Sequence, residues 1–292
     1  MRLLTYTATP EDNGKKVRQL LRGSLHLSYT LLKSLKWREN AILLNGQPCT
    51  VAATVHPGDV LTVNVTDTNA PSEHVTPVDY PLDILYEDDD LLILNKPAHI
   101  AVHSTEAVTI AGAVSYHLCG GTFHPVNRLD KGVTGIMVIA KSGHVHDLLM
   151  RQLHTDMFRR EYLAVCEGIP APANGTIDLP IGRDETSILK RCIDPDGLES
   201  HTVYETVQVS GNRALLRLRP LTGRTHQLRL HCAAIGHPLV GDWLYGTEDK
   251  SLIDRPALHS HELWLTHPIT GELLHLIAPL PEDMKRLLSF SL

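Results

Sequence analysis

The spacing of apolar residues predicts a small folded unit in the first 66 residues. Two short segments have apolar positions at helical spacing, and Ser28 can cap the second of them. Further along, Asn45-Gly46 is a strong signal for a tight turn between two strands. The predicted elements are helices at residues 17–21 and from 28 to about 38, and strands at residues 42–44 and 60–65. Residues 1–66 are therefore predicted to form a small α+β domain.

The next segment has little apolar periodicity. Residues 67–80 contain Pro71, Pro77 and several Ser, Thr and Asn residues, which is typical of a linker. From residue 81 onwards short apolar strands are joined mostly by tight turns, with helices predicted after Ser142, from Arg224 to residue 235, and after Pro281. Strands that pair locally form antiparallel sheets, so residues 81–292 are predicted to be an α+β domain with a mixed, largely antiparallel sheet.

Composition favours a cytoplasmic, water-soluble protein. The chain has 292 residues, of which 42% are hydrophobic, and it has no apolar run near the roughly 20 residues that span a bilayer and no signal-peptide pattern. Its five cysteines are scattered without a CxxC pair, which favours reduced thiols. We expect neither a membrane partner nor a disulfide framework.

The net charge of −6 hides an uneven distribution. Residues 1–66 carry eight Lys/Arg against four Asp/Glu, a net of +4, whereas residues 67–99 carry eight acids and one lysine, a net of −7. A basic module ahead of an acidic segment is expected of a protein that binds a polyanion. The alternative is a solvated basic face without a partner.

Two segments carry the candidate chemistry. Arg128-Leu129-Asp130 lies in a turn between apolar runs, and Gly223-Arg224-Thr225-His226-Gln227-Leu228-Arg229 lies at a predicted helix start. A carboxylate that acts as a nucleophile needs a cation to keep it ionised and oriented. One segment offers the carboxylate and the other offers arginines, so together they predict a paired site.

These segments belong to a longer ordered set of motifs. The stretch from Pro125 to Asp130, then Thr134-Gly135 and Ala140-Lys141, resembles the nucleophile motif of the RluA/RluD-type pseudouridine synthases. Residues 160–165, the run from Gly223 to Gly246, and residues 258–281 resemble that family's later motifs, in the same order. The resemblance extends from about residue 82 to the C-terminus and implies a catalytic domain with a central cleft.

The resemblance also implies residue roles. Asp130 would be the nucleophile, and Arg224 is the candidate for its cation partner. Tyr162 would stack on the uracil, with proton removal from the ring as a weaker hypothesis. Arg128 would fill the gap left by a flipped uridine. Arg229, five residues after Arg224, is expected on another helix face, as a structural residue or a phosphate contact. Each has a structural alternative, such as a surface turn, a helix start or a core tyrosine.

The N-terminal unit is similar to the S-four-like (αL) RNA-binding module, in which two helices present basic residues to structured RNA. Lys33, Lys36 and Arg38 match that role best. Many small α+β modules have the same order of elements, so the pattern is not unique to RNA binding.

Metal and cofactor sites are not expected. The 18 histidines include no HExxH pattern, and the acidic run 87–90 is predicted to be a solvated hairpin turn.

The sequence therefore predicts a cofactor-free RNA pseudouridine synthase that acts on structured RNA, with ribosomal RNA as the expected substrate by family analogy. The alternatives are a non-catalytic RNA-binding or ribosome-assembly factor on the same fold, and a metal-dependent hydrolase. The sequence does not determine the modified uridine, ribosomal versus transfer RNA, the role of Tyr162 or the oligomeric state, for which a monomer is favoured.

Overall fold

The computed structural model describes residues 2–66, 75–153 and 155–289. Most of the predicted linker lies outside these ranges. The N-terminal unit contains strands β1 (Leu3–Thr7), β2 (Ile42–Leu44), β3 (Gln47–Pro48) and β4 (Val60–Asn64) and helices α1 (Val17–Arg22) and α2 (Tyr29–Leu35). The four strands form one antiparallel sheet in the order β1-β4-β2-β3.

Local signals position the N-terminal elements. The Ser28 hydroxyl accepts a hydrogen bond from the Leu31 backbone nitrogen at 3.2 Å, which caps α2 as predicted. Asn45 and Gly46 have φ angles of 53° and 77°, the left-handed pair that a tight hairpin turn requires. Two features differ from the prediction: α2 ends at Leu35 rather than near Arg38, and β1 was not predicted. Only Leu4 of β1 is buried, so its apolar pattern is weak.

The larger unit contains twelve of the strands assigned in the described residues and four helices. They are β5 (Ile84–Glu87), β6 (Leu91–Lys96), α3 (Ile110–His117), β7 (His124–Pro125), β8 (Thr134–Ala140), α4 (Gly143–Gln152), β9 (Phe158–Glu167), β10 (Asn174–Asp178), β11 (Ile181–Arg183), β12 (Arg191–Ile193), β13 (His201–Ser210), β14 (Arg213–Pro220), α5 (Gln227–Ala234), β15 (Leu258–Thr266), β16 (Leu273–Ile277) and α6 (Glu282–Leu288).

One ten-stranded sheet organises this unit. Its main order is β10-β13-β14-β9-β15-β8-β6-β5, with β16 paired to β15 and β7 to β8. Among the pairings of these named strands, only β15 with β8 is parallel, so the predicted mixed, largely antiparallel α+β fold is confirmed. β11 and β12 form a separate hairpin. None of the described helices is both long and apolar enough to cross a bilayer.

The centre of the sheet is covered on both faces. Along β9, Tyr162, Ala164 and Cys166 pack into a core with residues of α3 and α5, whereas Leu163 and Val165 pack into a second core with residues of α6. This alternation is what a strand with two buried faces requires. All seven residues of β8 are buried. Tyr162 thus belongs to the face that carries α5, with β9 and β8 on either side of β15.

The acidic turn between β5 and β6 is only in part the solvated hairpin turn that was predicted, because Glu87 and Asp89 are exposed but Asp90 is not. Asp90 is buried and accepts a hydrogen bond from Arg2 of the N-terminal unit at 2.5 Å. The Asp88 carboxylate accepts from the backbone nitrogens of Asp90 and Leu91 and from the Tyr86 hydroxyl. A buried carboxylate needs a cation to compensate for lost hydration, and here Arg2 is that cation. The turn therefore connects the two units.

Asp88, Asp90 and His267 place ligand-type atoms within 4.8 Å of one another. Nδ1 of His267 accepts from the backbone nitrogens of Ile269 and Thr270, which leaves the proton on Nε2 in the neutral imidazole. Nε2 lies 3.0 Å from Oδ2 of Asp88, but the two groups are not aligned for a hydrogen bond. This donor pattern fits an acid–histidine contact, since a metal ligand would need a lone pair on Nε2.

Gly135 provides a test of the junction between β8 and β15. Its φ is +105°, and a methyl group added there would collide with the carbonyl oxygen of Ser260. We expect Gly135→Ala to lower the free energy of unfolding by about 3 kcal/mol or more, because overpacking adds to backbone strain. Gly236→Ala is the matched control, since φ is +85° with no described atom within 4 Å, and it should cost only about 1 kcal/mol. Urea unfolding measures both, and equal losses would contradict the clash.

Candidate active site

Asp130 lies on a loop that is anchored from below. The preceding Asn127 is buried and accepts from the Val138 backbone nitrogen at 2.8 Å while its amide faces the Ile136 carbonyl. Leu129 is buried in the core beneath the loop. These two side chains hold the loop against β8, and Asp130 itself remains partly exposed between them and the cleft.

Two buried cations hold the same loop through its carbonyl groups. Nζ of Lys96 donates to the carbonyl oxygens of Pro97, Lys131 and Val133 at 2.7, 3.2 and 3.0 Å. Arg255 binds Asp283 through two hydrogen bonds and reaches the Gly132 carbonyl at 3.4 Å.

Burial lowers the pKa of Lys96 to about 8, although the charge of Asp130 opposes that change. This role of Lys96 was not predicted from the sequence. A lysine at the end of an apolar strand is the feature that could have indicated it.

Arg229 is the cation that contacts Asp130. Its Nη1 donates to Oδ2 of Asp130 at 2.9 Å, while Nε and Nη2 each donate to the buried carboxylate of Asp242 at 2.7 Å. Burial alone would lower the pKa of Arg229, but the hydrogen bonds and charge of Asp242, with the charge of Asp130, raise it. The guanidinium therefore stays charged and is held in one orientation by Asp242.

Arg224, which the sequence analysis assigned to this ion pair, lies elsewhere. Its Nε donates to the Glu199 carbonyl oxygen at 3.1 Å, and its side chain lines the cleft without a described contact to Asp130.

Helix α5 begins at Gln227 rather than at Arg224, because His226 has a left-handed φ of 59° that interrupts the helix. Arg229 thus lies in the first turn of α5 and makes the contact with Asp130 that was predicted for Arg224.

Tyr162 and Arg128 also line the cleft around Asp130. Tyr162 is buried in β9, and no described residue forms a hydrogen bond with its hydroxyl. Arg128 is exposed at the rim, two residues before Asp130. The cleft has a volume of about 750 Å³, which is sufficient for a nucleoside-sized ligand. It brings together a carboxylate, an aromatic ring and several cations.

Comparison with known proteins agrees with this geometry. A family model described as RNA pseudouridylate synthase matches residues 90–234. A protein of Bacillus subtilis (strain 168) named "Uncharacterized RNA pseudouridine synthase YjbO" is 37% identical over 273 residues, 91% of this chain and 96% of its own. This chain belongs to the RNA pseudouridine synthase family. The predicted family is therefore confirmed, and the protein is an isomerase that acts on RNA.

Two further relatives extend the comparison. A protein of Vibrio cholerae serotype O1 named "Ribosomal large subunit pseudouridine synthase D" is 35% identical over 303 residues, 96% of this chain and 92% of its own. The solved structure of human RNA pseudouridylate synthase domain containing 1 has a TM-score of 0.58 and 29% identity, and the match covers 68% of this chain and 83% of that one. The structural match agrees with the observed fold.

His226 also lines the synthase cleft, and Tyr245 lies behind it; neither residue was assigned a role from the sequence. His226 lies with Nε2 3.7 Å from Oδ2 of Asp130, and its Nδ1 lies 3.0 Å from the Tyr245 hydroxyl. Burial lowers the pKa of His226, although the charge of Asp130 opposes this shift. Tyr245 also lies with its ring 5.4 Å from the Arg229 guanidinium. Both residues occur in the third family-like motif, which was the available signal.

The three predicted RNA-binding residues of the N-terminal unit differ in their surroundings. Lys33 and Lys36 are exposed. Arg38 is half-buried, and its Nη1 donates to the Thr66 carbonyl oxygen at 2.8 Å. The Arg38 guanidinium is therefore engaged in holding the end of the unit together.

The two arginines can be compared directly. We expect Arg229→Lys to lower the rate of pseudouridine formation by about 100-fold, because an ammonium group cannot reproduce the fork that joins both carboxylates. Arg224→Lys should lower it less than about tenfold, since Arg224 does not contact Asp130. Both rates are measured on total RNA from cells that lack the gene, after circular dichroism confirms folding. A larger loss in Arg224→Lys than in Arg229→Lys would contradict the assignment.

Proposed function

We propose that this synthase modifies ribosomal RNA and that Asp130 is its nucleophile. The observation that carries the proposal is the single ionised contact of Asp130: Arg229 holds Oδ2 at 2.9 Å, and no described residue forms a hydrogen bond with Oδ1. Oδ1 is thus available to a ligand in the cleft. The ribosomal substrate is supported by the names of full-length relatives such as the Vibrio cholerae protein. A ribosomal substrate implies that the enzyme acts in the cytoplasm.

The reaction can be written with every bond accounted for. Oδ1 of Asp130 attacks C1′ of the ribose; a C1′–O bond forms, the C1′–N1 bond breaks, and its electron pair remains on the uracil ring. After the ring turns, C5 attacks C1′ and the C1′–O bond breaks, which returns its electron pair to the carboxylate. A base takes the C5 proton and N1 gains one, so the product is an isomer of the substrate. A covalent intermediate divides one difficult step into two easier ones.

Tyr162 and Arg128 have supporting roles in this proposal. The Tyr162 ring stacks on the uracil at the wall of the cleft, which keeps the detached base in place while it turns. Proton removal by its hydroxyl is the second candidate role. Arg128, at the exposed rim, stacks in the gap that the flipped uridine leaves and offsets part of the cost of unstacking.

The N-terminal unit is proposed to bind the RNA outside the cleft. Lys33 lies on the exposed side of α2 with Tyr29, and Lys36 and Trp37 follow directly after the end of the helix; Tyr29 and Trp37 are 68% and 85% exposed. Tyr29 and Trp37 are each four residues from Lys33, and Lys36 is three residues from it, spacings that place side chains on one side of a helix. Cations next to exposed aromatic rings suit a nucleic acid, because the cations contact phosphates and the rings stack on unpaired bases.

The nucleophile assignment is tested by mapping pseudouridines. Total RNA from cells that lack the gene should miss at least one ribosomal site, which wild-type protein restores and Asp130→Asn does not, because a neutral amide cannot attack C1′. Asp254→Asn is the matched control, since this aspartate is exposed and pairs with His99 outside the cleft lining. Restoration by Asp130→Asn would favour the non-catalytic RNA-binding alternative. A restored site in transfer RNA alone would contradict the ribosomal assignment and leave the nucleophile intact.

The RNA-binding surface is tested by its salt dependence. We expect the double variant Lys33→Gln/Lys36→Gln to bind structured ribosomal RNA more weakly and with a logarithmic salt slope reduced by about 1 to 2 units, because each phosphate contact releases a counterion. Lys250→Gln/Lys285→Gln is the control, since both lysines are exposed in the larger unit. Filter binding between 50 and 200 mM salt, roughly the range over which such contacts are screened, gives the slopes. Equal slopes for the two double variants would contradict the proposal.

A further inference from the structure

His226 occupies an unusual backbone position for a side chain that faces the active site. Its φ is 59°, in the left-handed region that non-glycine residues seldom adopt, and it immediately precedes helix α5. This conformation turns the imidazole into the cleft, between Asp130 and Tyr245, where only 15% of the side chain is exposed. Backbone strain at a cleft residue is a reason to ask what the side chain does there.

A chain of hydrogen bonds determines which nitrogen of His226 carries the proton. The Arg191 backbone nitrogen donates to the Tyr245 hydroxyl oxygen at 2.8 Å, so the hydroxyl proton is directed elsewhere. Its neighbour is Nδ1 of His226 at 3.0 Å. Tyr245 therefore donates to Nδ1, and in the neutral imidazole the remaining proton is on Nε2.

Nε2 of His226 and Nη1 of Arg229 lie beside the same carboxylate oxygen. The distances to Oδ2 of Asp130 are 3.7 Å from Nε2 and 2.9 Å from Nη1. The first distance is too long for a hydrogen bond, but such contacts often shorten when the ligand closes a site. Both groups approach Oδ2, and Oδ1 has no hydrogen-bond partner among the described residues.

We propose that His226 is a positioning residue: its Nε2–H, whose tautomer Tyr245 sets, closes onto Oδ2 of Asp130 when RNA fills the cleft and so reserves Oδ1 for the ribose. This inference rests on the proposed role of Asp130 and adds two residues to it. Arg229 keeps the Asp130 carboxylate ionised, and His226 fixes its orientation. A neutral donor is suited to that task, because it orients the carboxylate without removing its negative charge.

The charged groups around His226 agree with a neutral imidazole. It faces Asp130 on its loop, Arg229 on α5, Asp242 on the following loop and Arg191 on β12, and burial lowers its pKa while Asp130 counteracts this. The two arginines disfavour a third positive charge at this place, and the two carboxylates are already bound by Arg229. His226 thus stays a donor through Nε2 as the pH rises through neutrality.

The tautomer is measured first, because this measurement needs no substrate. In protein labelled with ¹⁵N-histidine, the resonances of His226 are assigned by their loss in His226→Asn. We expect the Nε2–H tautomer in the wild type and a mixture of tautomers in Tyr245→Phe. In Asp130→Asn the pKa of His226 should fall, because an opposing negative charge is removed. An Nδ1–H tautomer in the wild type would overturn the proposal.

The second experiment measures the single-turnover rate of pseudouridine formation on total RNA from cells that lack the gene. We expect His226→Asn to lower the rate by about tenfold or more with RNA affinity unchanged, because Asn tolerates the left-handed backbone but does not reach Oδ2. His226→Gln should recover part of the rate, since its amide can donate from near the Nε2 position. Tyr245→Phe should lower the rate, and the double variant should be no slower than His226→Asn, because Tyr245 acts through His226.

His99→Asn is the matched control. His99 has a φ of 63° and its Nε2 lies 3.2 Å from Asp254, but it is outside the cleft lining. This variant should retain the wild-type rate. A wild-type rate in His226→Asn, or additive losses from His226 and Tyr245, would overturn the proposal. If the wild type itself does not modify ribosomal RNA, the ribosomal assignment fails, and the tautomer measurement alone then decides the role of His226.

Discussion

The buried ion pair between Arg229 and Asp242 is the interaction on which the site depends. A guanidinium removed from water is costly unless its charge and its donors are matched, and Asp242 satisfies two donors at 2.7 Å each. The third, Nη1, is thereby directed at Asp130. Because Arg229 lies 99 residues after Asp130, the contact between them forms only when distant parts of the chain have come together. Folding and assembly of the site are thus the same event.

The Asp130 loop is fixed by hydrogen bonds to its backbone carbonyl groups, so its side chains remain available to the substrate. Lys96 and Arg255 bind carbonyl oxygens of residues 131–133 from below, and Asn127 binds β8. A loop fixed in this way does not need Arg128 or Asp130 for its own conformation. Buried polar groups that are fully satisfied give such rigidity, whereas partly satisfied ones would destabilise it. Asp130, the proposed nucleophile, therefore belongs to a loop that is fixed at several points, as positioned catalysis requires.

The uneven charge of the chain has a structural as well as an electrostatic consequence. Asp90 of the acidic turn binds Arg2, and Ile269 packs against the cores of both units, so the basic N-terminal unit is attached at one place on the larger one. Attachment limits the directions in which Lys33 and Lys36 can face relative to the cleft. A net charge of −6 is then compatible with RNA binding, because the charges nearest the substrate, rather than their sum, determine the interaction.

The sequence by itself determined the family, the α+β class and the segments that carry the chemistry. Strand alternation, the Ser28 cap and the Asn45-Gly46 turn depend on neighbouring residues, so local pattern is sufficient to predict them. Only the tertiary structure decided which charged side chains form ion pairs. Arg224 and Arg229 are equivalent by composition, but the left-handed His226 delays α5 and points Arg229 at Asp130. Asp90 likewise reads as solvated until Arg2 is found beside it. Ion pairs join residues far apart in the chain, and their geometry exists only after the sheet has brought those residues together.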